Sequence, residues 1–231
     1  MRQRHVSGIE EKLSAYEGLI LRPKAGKAAM QLLPNGRPVR WYQRSSEFYA
    51  LPDGFPRVYV EIGCGRGQFI NAIAAEDPGA LYIGIEGCKT IVARALEKTK
   101  DANLSNVYYI DAFINDAAGA FAEDAITGIY LNFSDPWPKD RHADRRLTSP
   151  EKAGAYYKIL KPGGFVDLKT DGEAFFDYSL DTFVRTGFLI EDFTRDLKAG
   201  ETVPTEYEQR FRALGQPIFR FRATKPTISK R

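Results

Sequence analysis

Along the first 56 residues, hydrophobic positions follow no sustained period. One stretch, Ile9 to Glu17, has helical spacing. The segments after it are interrupted by five prolines and an Asn-Gly pair, namely Pro23, Pro34, Asn35-Gly36, Pro38, Pro52 and Pro56. Because prolines and Asn-Gly pairs favour turns and end regular elements, the pattern predicts an irregular N-terminal arm over residues 1–56. A single domain is predicted over residues 57–231.

From Val58 onward, short hydrophobic runs alternate with stretches of helical spacing. The predicted strands are Val58–Ile62, Leu81–Glu86, Val107–Asp111, Ile126–Phe133, Phe165–Thr170, Phe188–Phe193 and Pro217–Phe221. The predicted helices are Gln68–Glu76, Cys88–Asp101, Ala112–Ala122, Pro150–Leu160 and Glu173–Arg185. Such alternation predicts an α/β fold with a doubly wound, mostly parallel, seven-stranded Rossmann-like sheet. No helix is predicted between the last two strands, so we expect them to form an antiparallel hairpin at one edge.

Composition excludes several classes of protein. The 231 residues are 43% hydrophobic and 27% charged, which argues against a disordered, collagen-like or coiled-coil chain. No apolar run approaches the roughly 18 residues of a membrane span, and the polar N-terminus shows no signal peptide. Only Cys64 and Cys88 occur, without CxxC spacing and far from both histidines, which disfavours a disulfide scaffold or a zinc cluster. We therefore expect a cytoplasmic protein without a metal ion.

The net charge of +3 is unevenly distributed. Residues 1–44 carry nine basic and three acidic side chains, and residues 210–231 carry seven basic and no acidic ones. Residues 45–209 carry 17 basic against 27 acidic side chains. An acidic body with basic ends is one signature of a protein that binds nucleic acid, and solvated tails are the alternative interpretation.

A glycine-rich segment follows the first predicted strand and precedes a predicted helix. Gly63, Gly65 and Gly67 allow a sharp turn and a close approach of a ligand to the backbone. A dinucleotide fingerprint requires glycine at position 68, which is Gln here, and Glu61 would repel a pyrophosphate. A positively charged cofactor without phosphate fits better. S-adenosylmethionine is such a cofactor, and its α-amino group would meet Glu61 directly or through water.

Two further carboxylates end the second and third predicted strands. An acid at the position of Glu86 commonly accepts hydrogen bonds from both ribose hydroxyls of an adenosine. Asp111 lies at a strand end where a carboxylate can accept a hydrogen bond from the adenine amino group. Helix capping is the structural alternative for such acids. Three acids at successive strand ends beside a glycine loop favour a site for an adenosine-containing cofactor.

The fourth predicted strand ends in Ser134-Asp-Pro-Trp-Pro-Lys139, where the carboxyl end of a strand faces the ligand crevice. The prolines stiffen a loop that presents an acid, an aromatic ring and a cation. Trp137 either stacks on a base or packs in the core. A basic run comes next, with Arg141, His142, Arg145 and Arg146. We interpret His142 as a phosphate contact or a surface residue rather than a metal ligand.

Taken in order, these motifs resemble the bacterial tRNA (guanine-N7)-methyltransferases. The resemblance covers roughly residues 57–222 and rests on Glu61–Gly67, Gly84–Glu86, Ser134–Lys139, Arg141–Arg146, Thr205–Glu208 and Gly215–Pro217. It implies transfer of a methyl group from S-adenosylmethionine to N7 of a guanine in tRNA, at position 46 of the variable loop.

The resemblance also assigns roles to individual residues. The cofactor residues it implies are Glu61, Glu86, Asp111 and Asp135. The substrate residues it implies are Lys139, Asp171, Thr205, Glu206, Tyr207 and Glu208, and the RNA-contacting segment is Arg141 to Arg146. Guanine N7 carries a lone pair and no proton, so the main requirement is alignment with the methyl group. Asp135 is the candidate catalytic residue, because a carboxylate there would stabilise the cationic guanine or hold the cofactor.

Three other functions compete with this interpretation. A methyltransferase that acts on a small molecule or a protein fits residues 57–135 equally well, but the basic loop and C-terminus disfavour it. A non-catalytic RNA-binding module is disfavoured by the presence of all the strand-end acids. A nicotinamide-dependent dehydrogenase is disfavoured by Glu61 and Gln68.

Overall fold

The structure of the chain, a computed structural model, describes residues 8–25, 31–32, 38–39, 47–49, 51–113 and 121–227. The chain divides into two compact units, residues 1–122 and 123–231. Seven strands form the mixed sheet that the hydrophobic pattern predicts, and within the described residues a helix follows most of these strands. The predicted α/β class is therefore confirmed.

The first unit begins with short elements. Helix α1 (Ile9–Ser14) is followed by a 3-10 helix (Glu17–Leu19), so the helical stretch predicted over residues 9–17 is interrupted. Four short strands come next, β1 (Pro23–Ala25), β2 (Gln31–Leu32), β3 (Pro38–Val39) and β4 (Glu47–Tyr49). Strand β1 pairs with β4 and β2 pairs with β3, both antiparallel.

Alternating strands and helices make up the rest of the described part of the first unit. They are β5 (Val58–Ile62), α2 (Gln68–Glu76), β6 (Leu81–Ile85), α3 (Lys89–Asp101) and β7 (Val107–Ile110). The three strands are parallel and neighbour one another in the order β5-β6-β7. Each element agrees with its predicted bounds to within one residue. The helix predicted over 112–122 lies largely outside the described residues.

The segment before β1 packs into the hydrophobic core of the first unit. Leu13 is fully buried and Ile20 nearly so, in one cluster with Val92 and Leu96 of α3. The backbone N–H of Leu21 donates to the carbonyl oxygen of Tyr109 in β7 at 2.8 Å. The segment of residues 8–22 is therefore packed and hydrogen-bonded as part of the first unit.

The second unit contains four strands. Its elements are β8 (Ile126–Asn132), a 3-10 helix (Asp140–Arg145), α4 (Pro150–Ile159), β9 (Leu160–Thr170), α5 (Glu173–Thr186), β10 (Leu189–Thr194), α6 (Glu206–Ala213) and β11 (Phe219–Thr224). The strand order is β10-β11-β9-β8, in which β8 and β9 are parallel and the other neighbours are antiparallel. The antiparallel edge is thus confirmed.

The prediction that no helix separates the last two strands is wrong, because α6 lies between β10 and β11. Its sequence is dominated by charged and polar residues, so it lacks the apolar period of a core helix. A cap defines its start instead, since the Thr205 side chain accepts a hydrogen bond from the backbone N–H of Glu208 at 2.9 Å. Within the described ranges, every helix is too short or too polar to cross a bilayer.

Candidate functional site

The glycine loop after β5 has one packed side and one open side. Gly67 has a φ of 72°, and a Cβ added there would lie 2.7 Å from the Tyr109 hydroxyl oxygen and 2.9 Å from the Ala95 Cβ. Gly65 has a φ of 55°, and no described atom lies within 4 Å of a Cβ added there. Left-handed backbone of this kind favours glycine. The open side is where a ligand can approach the backbone closely.

Hydrogen bonds fix the loop to the sheet and to a buried polar cluster. The N–H groups of Gly63 and Cys64 both donate to the carbonyl oxygen of Ile85, at 2.8 and 3.1 Å. Below the loop, the hydroxyls of Thr99 and Tyr109 contact the Asn71 side-chain oxygen at 2.8 and 3.1 Å. The loop conformation is therefore set by the surrounding protein before any ligand binds.

Two of the predicted cofactor carboxylates act on this loop electrostatically. Glu61 is only 3% exposed. Burial raises the pKa of the Cys64 thiol well above its ordinary value, and the negative charges of Glu61 and Glu86 raise that pKa further. Both carboxylates thus place negative potential at the loop, which favours a cationic ligand over a pyrophosphate.

Glu86 and Asp111 are neighbours at the carboxyl edge of the first unit. Ile85 pairs with Ile110 in the parallel register, and each acid directly follows one of these residues. The N–H of Glu86 donates to the Ile110 carbonyl oxygen at 3.1 Å, and the Glu86 carboxylate accepts the Cys88 N–H at 2.9 Å. The structure therefore brings together two acids that the sequence assigns to the ribose and adenine of one cofactor.

Arg22 is a charged neighbour of this site that sequence reasoning missed. Its Nη1 donates to both Asp111 carboxylate oxygens, at 2.9 and 3.0 Å. The same guanidinium contacts Glu17 through Nε and Nη2, at 3.1 and 3.2 Å. Arg22 lies 89 positions before Asp111, and no motif in the sequence connects the two.

In the second unit, the segment after β8 has unusual backbone geometry. Phe133 and Trp137 have φ values of 50° and 40°, in the left-handed region that bulky residues rarely adopt. The Phe133 N–H donates to the Lys169 carbonyl oxygen at 2.8 Å. Asp135 lies between the two strained residues, with its side chain exposed. Strained backbone of this kind clusters at functional sites.

Arg146, one of the residues predicted to contact RNA, holds this loop in place. Its side chain is buried and donates to the carbonyl oxygens of Pro136 and Trp137, at 3.0 and 3.1 Å. The guanidinium also lies over the Tyr178 ring, 4.2 Å from the ring centroid. The guanidinium is thus engaged within the protein, and its contacts fix the conformation of the loop.

The other members of the basic run lie nearer the surface. Lys139, Arg141 and Arg145 are exposed, and His142 is half-buried. Trp137 does not belong to the core, because its ring packs against Arg145, at 5.1 Å, and the edge of His142, at 5.7 Å. Within the described residues, no group of three or more histidine, cysteine or acidic side chains is arranged to hold a metal ion.

The predicted substrate segment at the start of α6 is only partly exposed. Glu208 is 1% exposed; Lys169 donates to one of its carboxylate oxygens at 2.8 Å and Arg212 to the other at 2.9 Å. The Thr205 hydroxyl caps the helix. Two cations therefore enclose the carboxylate of Glu208, which the resemblance implies is a substrate residue. Glu206 and Tyr207 are exposed, and so is Asp171, which directly follows β9.

Three aromatic rings connect the end of β8 to α6. Phe133 lies 6.0 Å from Tyr207 and 5.7 Å from Phe211, and Tyr207 lies 6.3 Å from Phe211. Each pair of rings is within 25° of parallel. If the three rings were stacked in one column, the centroids of the outer two would be about twice as far apart as those of neighbouring rings. The three centroid distances are instead nearly equal, so the rings lie side by side. We call Phe133, Tyr207 and Phe211 the aromatic cluster; its outermost ring, Tyr207, is 55% exposed.

Comparisons with known proteins identify similar chains. A family model described as "Putative methyltransferase" matches residues 56–221. A tRNA (guanine-N(7)-)-methyltransferase of Oceanobacillus iheyensis is 40% identical over 96% of this chain and 98% of its own. One from Lachnoclostridium phytofermentans is 36% identical over 95% and 96%. Among solved structures, the 16S rRNA methyltransferase KamB has a TM-score of 0.59 and 14% identity, over 75% of this chain and 89% of its own.

Proposed function

Because this chain belongs to the family of tRNA (guanine-N(7)-)-methyltransferases, we propose that it transfers a methyl group from S-adenosylmethionine to N7 of a guanine in tRNA. We propose position 46 of the variable loop as the target and the cytoplasm as the place of action. The observation that carries the proposal is the contact between Phe133, two residues before Asp135, and Tyr207 in the Thr205–Glu208 segment. It joins two predicted parts of the substrate site within one unit.

The chemistry of the first unit fits the cofactor. S-adenosylmethionine supplies an electrophilic methyl group on a positively charged sulfonium. The open side of the Gly63–Gly67 loop admits a ligand to the backbone, and Glu61 provides negative charge beside it. Glu86 and Asp111 follow paired residues of neighbouring strands. Their carboxylates are the proposed acceptors of hydrogen bonds from the ribose hydroxyls and the adenine amino group. In this proposal, the three acids select an adenosine with a cationic tail.

The reaction requires alignment more than proton transfer. The N7 lone pair forms the new N–C bond while the S–C bond breaks and its electron pair passes to sulfur. No proton leaves N7, and positive charge develops on the guanine ring. The exposed Asp135, held between Phe133 and Trp137 in strained backbone, is the carboxylate that we propose stabilises this charge or secures the cofactor. Arg146 keeps the loop in the required geometry through Pro136 and Trp137.

The aromatic cluster is the proposed surface for a nucleobase. Stacking of a base on an aromatic ring contributes about 1–3 kcal/mol and needs only an accessible ring face. Tyr207 is accessible, and its helix is fixed by the Thr205 cap and the buried Glu208. In this arrangement Thr205 and Glu208 position Tyr207, while exposed Asp171 is the proposed acceptor for the guanine N1–H and amino groups.

Exposed cations of the second unit suit a phosphate backbone. Lys139, Arg141 and Arg145 lie at the surface beside the Asp135 loop. Among residues 210–231, by contrast, Arg212, Arg220, Arg222 and Lys225 are already paired with carboxylates. The exposed loop cations therefore carry this part of the proposal, because a polyanion is attracted to them whereas a small neutral substrate has no need of them.

Methyl incorporation from labelled S-adenosylmethionine tests the proposal. The substrates are an unmodified tRNA transcript, the same transcript with adenosine at position 46, and total cellular protein as a competitor. We expect incorporation into the first transcript and at most a trace into the other two. Incorporation into protein, or equal incorporation into both transcripts, would contradict the proposed substrate or position.

A further inference from the structure

Arg22 contacts the proposed cofactor site from outside the domain in which the sequence motifs lie. Its Nη1 reaches both oxygens of Asp111, at 2.9 and 3.0 Å, and the Asp111 side chain is only 10% exposed. The segment that carries Arg22 is tied to the strand that precedes Asp111, because the Leu21 N–H donates to the Tyr109 carbonyl oxygen at 2.8 Å. This backbone hydrogen bond, next to Arg22 on one segment and close to Asp111 on the other, supports the contact between their side chains.

We propose that Arg22 is a positioning residue of the cofactor site, which fixes the Asp111 carboxylate for recognition of the adenine amino group. The inference rests on the proposed function, in which Asp111 accepts that amino group. It adds the N-terminal segment, residues 8–22, to the part of the chain that determines which nucleoside is bound.

The geometry explains how Arg22 can orient the Asp111 carboxylate without occupying all of its hydrogen-bond acceptor sites. Each carboxylate oxygen has two lone pairs, and one guanidinium nitrogen that reaches both oxygens leaves acceptor capacity on each. A carboxylate contacted on one edge by a fixed cation loses its freedom to rotate, so its remaining lone pairs point in constant directions. An Asp111 released from Arg22 would turn, and a hydrogen bond that depends on direction would weaken.

Arg22 is itself held in place. Glu17 accepts its Nε and Nη2 at 3.1 and 3.2 Å, in the paired geometry that suits a guanidinium and a carboxylate. The hydrogen bond with Glu17 raises the pKa of Arg22, so the side chain keeps its charge throughout the range of physiological pH. A lysine ammonium is a point charge and cannot bridge two carboxylates in the same fork.

Discrimination between two nucleosides tests the positioning role. Calorimetry measures the affinities of S-adenosylhomocysteine and S-inosylhomocysteine, in which a carbonyl replaces the 6-amino group. We expect the wild-type protein to prefer the adenosyl compound by roughly tenfold or more, because a carbonyl facing the carboxylate loses a charge-assisted hydrogen bond. Arg22→Ala is expected to reduce this preference to about threefold or less, and Arg22→Lys to restore part of it.

Arg57→Ala is the matched control. Arg57 lies in the same unit and pairs with the Asp77 carboxylate at 2.9 Å, before the start of β5 and so away from the strand ends that carry the acids. We expect it to leave both affinities unchanged. Melting curves establish that each variant is folded, and the Arg22 side chain, 41% exposed, tolerates replacement.

The possible outcomes separate the inference from the function on which it rests. Equal loss of affinity for both compounds in Arg22→Ala would show a structural ion pair and overturn the positioning role. Unchanged affinities for both compounds would overturn it too, and tighter binding of the adenosyl compound by Arg22→Ala would identify Arg22 as a competitor for Asp111 instead. Failure of the wild-type protein to bind either compound would refute the proposed cofactor and, with it, the role of Arg22.

Discussion

Lys169 and Glu208 form an ion pair of 2.8 Å in which each side chain is only 2% exposed. Lys169 lies near the end of β9 and also donates to the Val203 carbonyl oxygen at 2.8 Å, while Glu208 lies in the first turn of α6. Burial lowers the pKa of Lys169, and the Glu208 carboxylate opposes that shift. The pair attaches the helix that carries Tyr207 to the strand beside the Asp135 loop.

Removing one partner of this pair should destabilise the protein strongly. Glu208→Ala leaves a buried ammonium without its carboxylate, and we expect a loss of about 3–5 kcal/mol in the free energy of unfolding. Glu206→Ala, at an exposed site two residues away, should change it by no more than about 0.5 kcal/mol. Urea unfolding measures both. Equal stability of the two variants would show that the buried pair does not anchor α6.

Loss of Glu86 should weaken cofactor binding without unfolding the protein. Hydrogen bonds to charged groups contribute about 1.5–3 kcal/mol, so Glu86→Ala should reduce the affinity for S-adenosylhomocysteine by roughly 10- to 150-fold. Glu76→Ala, which removes an exposed carboxylate at the end of α2, serves as the control. Calorimetric titration decides the matter, and normal binding by the Glu86 variant would remove this residue from the ribose contact.

Asp135→Asn should abolish methyl transfer while the loop keeps its shape. The amide is isosteric with the carboxylate but carries no charge to stabilise the cationic guanine. Single-turnover kinetics at saturating cofactor separates a defect in chemistry from weak cofactor binding. Asp181→Asn, at an exposed position of α5, is expected to react at the wild-type rate. A near-normal rate for the Asp135 variant under these conditions would exclude the residue from the chemistry.

The arginines after the loop should divide into two classes. The double variant Arg141→Ala, Arg145→Ala removes exposed cations, so the slope of log affinity for tRNA against log salt should flatten by about 1.4–1.8. Arg146→Ala leaves buried carbonyl oxygens without a donor and should instead cost about 1–3 kcal/mol of stability. Melting curves and filter binding at several salt concentrations distinguish the two effects. An unchanged salt slope in the double variant would contradict phosphate contacts by this loop.

Elements with a clear hydrophobic period could be predicted from the sequence alone. Strand β5 and helix α2 have the predicted bounds, because buried positions on either side of a glycine loop leave little choice of register. Helix α6 could not be predicted in this way, since its start depends on a threonine cap and on Lys169, 39 positions before Glu208. The spacing of hydrophobic residues within the helix does not indicate a partner so far away in the sequence.

The residues of the candidate site also differ in whether the sequence could predict their placement. The strand-end acids Glu86 and Asp111 could be placed together because a parallel sheet aligns the ends of its strands. The sequence also identified Arg146 as a cation but could not show that it turns inward to two backbone carbonyls. Nor could it identify Arg22 as the partner of Asp111, because that contact joins segments 89 residues apart.

Replacement of a single atom in the substrate tests the central claim most directly. A tRNA with 7-deazaguanosine at position 46 retains the Watson–Crick edge of guanine but has carbon in place of N7. We predict that the wild-type protein binds this tRNA with its usual affinity and transfers no methyl group to nucleotide 46, whereas the guanosine form yields N7-methylguanosine there. Methylation of the deaza nucleotide, or of another nucleotide in both tRNAs, would contradict methyl transfer to N7 of guanine 46.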